Sequence, residues 1–151
     1  MLWVTLGILV LLSVLVIIIY NQLVQSRQLV ENGWSDIEVQ LKRRADLIPR
    51  LVDTVKGYAG HERKLFSEVI EKRNAALAAG DKPDARASAE GALQKPVGRL
   101  IALAEDYPEL KASGNFLDLQ NEISETEDKI EMSRRFYNGA VRALNTKIES
   151  I

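Results

Sequence analysis

The sequence predicts an all-α protein, with one N-terminal transmembrane helix continuing into an antiparallel, up-and-down bundle of about four long helices. Three observations predict it. Residues 2–19 (LWVTLGILVLLSVLVIII) hold no charged side chain. Beyond residue 20 the chain is rich in Ala, Leu, Glu, Lys and Arg, while aromatics make up 6% of the whole, a mix that favours long helices over sheet. Apolar residues recur at steps of three and four, and no alternating run bounded by turn residues competes with them.

The first element is the span. Eighteen uncharged residues, interrupted only by Thr5, Gly7 and Ser13 among large apolar side chains, plus Tyr20 make a helix of about 28 Å at 1.5 Å per residue, close to the ~30 Å of a bilayer core. Trp3 and Tyr20 bracket it at the two headgroup levels, as an interfacial aromatic belt requires. A cleaved signal peptide would need a basic lead and a small-residue cleavage site. Here nothing basic precedes the segment, and it runs into Tyr20-Asn21-Gln22. A buried core helix would show a polar face, and this one has none. The expected organisation is a membrane anchor over residues 1–20 and a helical bundle over 21–151. Arg27 is the only basic residue near the anchor, so the charge rule leans toward a cytoplasmic domain; the expected location is the inner membrane.

After the span, Leu23, Val30, Trp34, Ile37 and Leu41 keep helical spacing, so the first helix is expected to pass unbroken from bilayer to bundle. Asp46 is a good N-cap, and Pro49 would then fall in a first turn. A second helix is therefore expected from about Leu47, with a stripe running from Ile48 through Val55 and Phe66 to Ala76. Gly80 and Pro83 end it. Asp84 is expected to cap a third helix, kinked or starting late because of Pro96 and Gly98. Tyr107-Pro108 and KASGN mark the next stop. The last helix carries Phe116, Leu119, Ile123, Ile130, Tyr137, Val141, Leu144 and Ile148, a length that would span the domain.

Residues 32–62 (NGWSDIEVQLKRRADLIPRLVDTVKGYAGHE) and 104–145 (AEDYPELKASGNFLDLQNEISETEDKIEMSRRFYNGAVRALN), behind a single N-terminal span, resemble the LemA family of bacterial membrane proteins. The strings QLKRRADLIP, VKGYAGHE, EDYPEL and SRRFYN carry the resemblance. It implies a four-helix up-and-down bundle on one membrane helix, and no catalytic residue or cofactor to carry over. Relatives often run past the segment matching NTKIES into an aromatic-containing tail, whereas this sequence ends at Ile151. Pro96 falls where a relative would more usually continue its helix.

Composition and motifs narrow the chemistry. The net charge of -1 and the absence of cysteine remove a global pull toward nucleic acid and all thiolate chemistry. His61-Glu62 invites a hydrolase reading, but a zinc-protease motif needs a second His on the same helix face, and the chain has one histidine. The competing expectation is a polar histidine on a helix surface or between helices. Gly57 and Gly60 are expected to allow close helix packing. Glu122, Glu125, Glu127, Asp128 and Glu131 crowd the last helix without the Glu-x-x-His pairs of bundle metal sites. Glu127 or Asp128 is expected to pair with the basic cluster Lys42, Arg43 and Arg44. At about 35 Å beyond the bilayer along a straight helix, that cluster suits a partner or a neighbouring subunit better than lipid.

These observations give no catalytic residue, metal, cofactor, small-molecule substrate or nucleic-acid partner. They favour a membrane-anchored structural or interaction module that contacts the lipid bilayer, forms a homo-oligomer through its bundle and docks other membrane proteins. The alternatives are an accessory subunit of a membrane protease, transporter or envelope-stress system, and, resting only on His61 and Glu62, a hydrolase.

Overall fold

The computed structural model describes residues 1–151. It has five α-helices and no strand: α1 Leu2–Lys56, α2 Arg63–Ala78, α3 Pro83–Ala102, α4 Pro108–Lys111 and α5 Gly114–Glu149, with a 3₁₀ turn at Leu103–Asp106 before α4. Four of the five are long, and short connections join them into an up-and-down bundle.

α1 is a single helix of 55 residues, with no break between Tyr20 and Val30. It also passes through the point where a second helix was expected to begin. Pro49 lies inside it, where a proline removes one hydrogen bond and leaves the carbonyl four residues back without its donor. That carbonyl belongs to Ala45. The Nε of Arg73, on α2, donates to it at 2.9 Å. A side chain from the neighbouring helix thus supplies the hydrogen bond that the proline cannot. Asp46 is not an N-cap; its carboxylate lies 3.7 Å from Lys42 and 4.0 Å from Arg73.

The stripe read as one helix from Ile48 to Ala76 is divided by a turn at residues 57–62. Two glycines within four residues each cost about 1 kcal/mol in a helix interior. The buried Ala59 then pins the turn into the core, its N–H bonded to the Val55 carbonyl at 2.9 Å. Gly57 and Gly60 therefore sit in this turn and not at a helix crossing; a Cβ on either would meet only the local carbonyls of Thr54 and Lys56.

Gly80 takes a left-handed backbone, φ 71°, one residue beyond the α2 C-cap Ala79, as a helix-ending glycine should. α3 begins at Pro83 and is capped by the extended residue Lys82. Pro83 fills the first helical position, where its fixed φ is an advantage. Asp84 therefore lies inside the first turn and not at the cap. α3 runs through Pro96 and Gly98 to Ala102, so no late start occurs. Burial of Leu93, Pro96, Val97 and Leu100 outweighs the local cost of the proline.

By contact the chain divides into two compact units, one of Met1–Glu38 with Glu131–Ile151 and the other of Val39–Ile130. The second unit holds the core. Ile48, Leu51, Val52 and Val55 of α1 meet Phe66 and Val69 of α2, Leu93, Val97 and Leu100 of α3, Leu110 of α4 and Phe116, Leu119 and Ile123 of α5. The first unit is a pair of helical segments, the first 38 residues of the chain and the last part of α5.

Candidate functional site

In the first unit, residues 2–18 of α1 expose their side chains all round, which in water would leave an apolar cylinder and in a bilayer costs nothing. Trp3 and Tyr20 are exposed near its two ends. Just beyond Tyr20, α1 meets the last turns of α5. Lys147 Nζ donates to the buried Ser26 Oγ at 2.8 Å. Farther along, Gly33 lets the helices close: a Cβ there would lie 3.2 Å from both Phe136 Cδ1 and Tyr137 Cα. The next residue, Trp34, tilts against Tyr137 with ring centroids 5.6 Å apart. Leu29, Met132 and Phe136 stay 45%, 63% and 52% exposed.

The second unit contains the basic cluster, which the fold separates into three fates. Lys42 is exposed and pairs along its own helix with Asp46. Arg43 approaches Glu125 of α5 at 3.9 Å. Arg44 is buried and donates through Nη2 to Glu90 of α3, whose other oxygen accepts from Arg86 Nε at 3.1 Å. The three side chains are each more than nine-tenths buried. A cluster of two guanidiniums and one carboxylate holds α1 against α3, and Arg44 Nε is left without a partner.

The acidic partners are thus Glu125 and Glu90. Glu127 and Asp128, expected to meet the basic cluster, form no ion pair; Glu127 is half-buried and Asp128 exposed. Lys129, 3.0 Å from Glu125, holds that carboxyl below its ordinary range through hydrogen bonding and charge, with Arg43 adding to the effect.

His61 and Glu62 lie in the turn before α2, not on a helix face. His61 is exposed, and Glu62 is the N-cap residue of α2 but makes no side-chain cap bond. Beside them an open cleft of about 800 Å³ runs over Phe66 and Ile70, with Lys56, Arg63, Glu71 and Asn74 at its sides. Lys56 Nζ stands 5.8 Å from the centre of the Phe66 ring. No group of three His, Asp or Glu side chains is close enough together to hold a metal ion.

The sequence model of the LemA family matches residues 33–151. The chain belongs to the LemA family. The match begins at Gly33, so it takes in the Gly33 contact, the basic cluster, the 57–62 turn and all of α2 to α5, while the apolar span lies outside it. Among curated relatives, the chain is similar to Protein LemA of Metamycoplasma hominis, 28% identical over 85% of this chain and 58% of that protein. It is also similar to Magnetosome protein MamQ 2 of Paramagnetospirillum magneticum (26% identical, 85% of this chain, 57% of the relative) and to Magnetosome protein MamQ of Magnetospirillum gryphiswaldense (23%, with the same coverage). This LemA-family chain spans less than three-fifths of the length of these relatives.

Sequence reasoning did not single out Ser26, Arg73, Arg86, Glu90, Thr126 or Lys147 as functional or structural residues. For Ser26 and Thr126 a signal existed. Each falls in a gap of seven within an apolar stripe, between Leu23 and Val30 and between Ile123 and Ile130, where helical spacing calls for an inward residue. For Arg86 and Glu90 the only signal was their i, i+4 spacing on α3.

Proposed function

We propose that this LemA-family protein is a membrane-anchored, non-enzymatic scaffold that self-associates through its first unit. One observation carries the proposal: the two helical segments leave Leu29, Met132 and Phe136 exposed, with Phe136 lying against Gly33 where the segments close. Two anchored copies share a plane and an orientation, so an encounter between them outside the bilayer takes place at high effective concentration. A two-fold axis presents the same patch from both sides. Four of the charges on these segments are already paired along their own helices, Arg27 with Glu31 and Glu131 with Arg135, so these four add no uncompensated charge to the patch.

The anchor is residues 2–20 of α1, which form the one helix stretch long and apolar enough to cross a membrane. Arg27, on the C-terminal side of the anchor, supports a cytoplasmic bundle under the charge rule, and an inner-membrane location is part of the same reading. Relatives named both for LemA and for the magnetosome suit a shared scaffold more than one shared reaction. Docking of other membrane proteins, an accessory-subunit role included, would use the remaining exposed surface, with Lys42, Arg43, His61 and Glu62 as contacts.

The test is mass by light scattering of the protein in mild detergent. The expected result is a dimer or larger assembly for the wild type and a shift toward monomer for Phe136→Glu. A strictly monomeric wild type sinks the self-association reading.

A further inference from the structure

Where α1 leaves the apolar span, a small cavity of about 170 Å³ opens between it and the last turns of α5, lined by Ile19, Gln22, Leu23, Thr146, Lys147, Ser150 and Ile151. Its chemistry is divided. Ile19 and Leu23 are the last apolar side chains of the span and the first of the stripe that follows. Gln22, Thr146, Ser150 and Lys147 bring an amide, two hydroxyls and an ammonium. The Ser150 hydroxyl donates to the Thr146 carbonyl. Lys147 is half-buried, and its one side-chain bond goes to the neutral Ser26 Oγ. It belongs to none of the ion pairs, unlike Arg27 nearby, which holds Glu31.

A half-buried ammonium tied to a buried hydroxyl and held in no ion pair has donor capacity and positive charge left over. Its depth decides what can use them. Tyr20 marks the headgroup level of the span, and the cavity begins one residue before it and ends three after. At that depth the abundant anion is a phosphate ester, and basic pockets beside membrane helices bind such headgroups. Room for several waters at about 30 Å³ each accommodates a phosphate group, with its acyl chains lying along Ile19 and the span.

We propose that this cavity is a binding site for the phosphate of an anionic phospholipid, with Lys147 as the charged anchor and Gln22 and the Thr146 hydroxyl as hydrogen-bonding partners. The site rests on the reading of residues 2–20 as a membrane anchor. It ties the end of α5 to the bilayer surface at a second point beside α1. The ammonium also lies in the last turn of α5, where a cation favours the helix end. That role would be independent of lipid.

The experiment measures the affinity of the full chain in neutral detergent micelles for phosphatidylglycerol, for diacylglycerol lacking the phosphate, and for inorganic phosphate at matched ionic strength. Wild type is expected to bind phosphatidylglycerol and to ignore diacylglycerol. Lys147→Gln is expected to weaken phosphatidylglycerol binding about fivefold. Lys147→Arg is expected to retain it, and Arg142→Gln, an exposed cation on the same helix, to leave it unchanged. Unchanged binding in Lys147→Gln overturns the site, as does equal binding of diacylglycerol. Inorganic phosphate matching phosphatidylglycerol overturns the lipid as its source. Flotation of wild type and Lys147→Gln with liposomes tests the anchor separately: both should float, and a wild type that does not float removes the membrane reading itself.

Discussion

Arg73 shows how one side chain decides whether a helix continues. Pro49 leaves the Ala45 carbonyl open, and Arg73 closes it. Replacing Arg73 with Met should cost about 1–3 kcal/mol, the penalty for a buried acceptor without a donor. In a Pro49→Ala background the helix provides its own N–H, and the same replacement should cost distinctly less. Thermal unfolding of the four proteins in detergent gives the coupling; equal costs in both backgrounds would show that Arg73 acts through Asp46 alone. Glu125 offers a second residue-scale test. Its carboxyl is held low by Lys129 and then Arg43. A depressed folded value means the favourable interaction is present above the unfolded value and is lost as pH falls through the folded one. Lys129→Gln should raise the Glu125 midpoint toward the ordinary ~4.3, read by NMR titration. Ser26 and Thr126 show why residue-level reading stopped short. A stripe counted in apolar letters skips a hydroxyl, yet Thr126 is fully buried because its Oγ1 donates to the Ile123 carbonyl. Arg44 and Glu90 are 46 residues apart; periodicity gives the face each occupies and not the partner it meets.

At the scale of elements, α5 and the start of α3 were legible because their signals were local: a long 3-4 stripe, and a glycine and a proline at a helix boundary. α1 and α2 were misdivided because the deciding interaction was tertiary. The proline looked like a beginning, and the glycines at 57 and 60 looked like part of a helix. Once α2 packs against α1, both local readings reverse. Gly33 gives an element-scale prediction whose sign is informative. In a free helix Gly33→Ala should stabilise by about 1 kcal/mol. Here the new Cβ meets Phe136 and the backbone of Tyr137 at 3.2 Å, so the segments must part. The expected outcome is a lower melting temperature, with Trp34 fluorescence altered as its contact with Tyr137 loosens. A more stable variant with unchanged fluorescence would show that the helices have slack at this crossing.

At the scale of the whole molecule, the proposed membrane attachment rests on seventeen exposed apolar or small side chains with no charge among them. Replacing both Leu11 and Leu12 with Arg places two charges near the bilayer centre, at ~2.5–3.5 kcal/mol each. The double variant should leave the membrane fraction on alkaline extraction, whereas the wild type stays. The span and the bundle are both legible in the sequence, but the local signal at Asp46 and Pro49 divides a helix that in the structure runs unbroken to Lys56. That continuity has a consequence during synthesis. The chain emerges from its N-terminus, so α1 is made and its apolar end delivered to the membrane while Arg73, 28 residues beyond Ala45, is still inside or near the ribosome. Until α2 follows, the helix is weakest one turn before Pro49. The far end of α1 therefore lacks the Arg73 hydrogen bond until the next hairpin arrives.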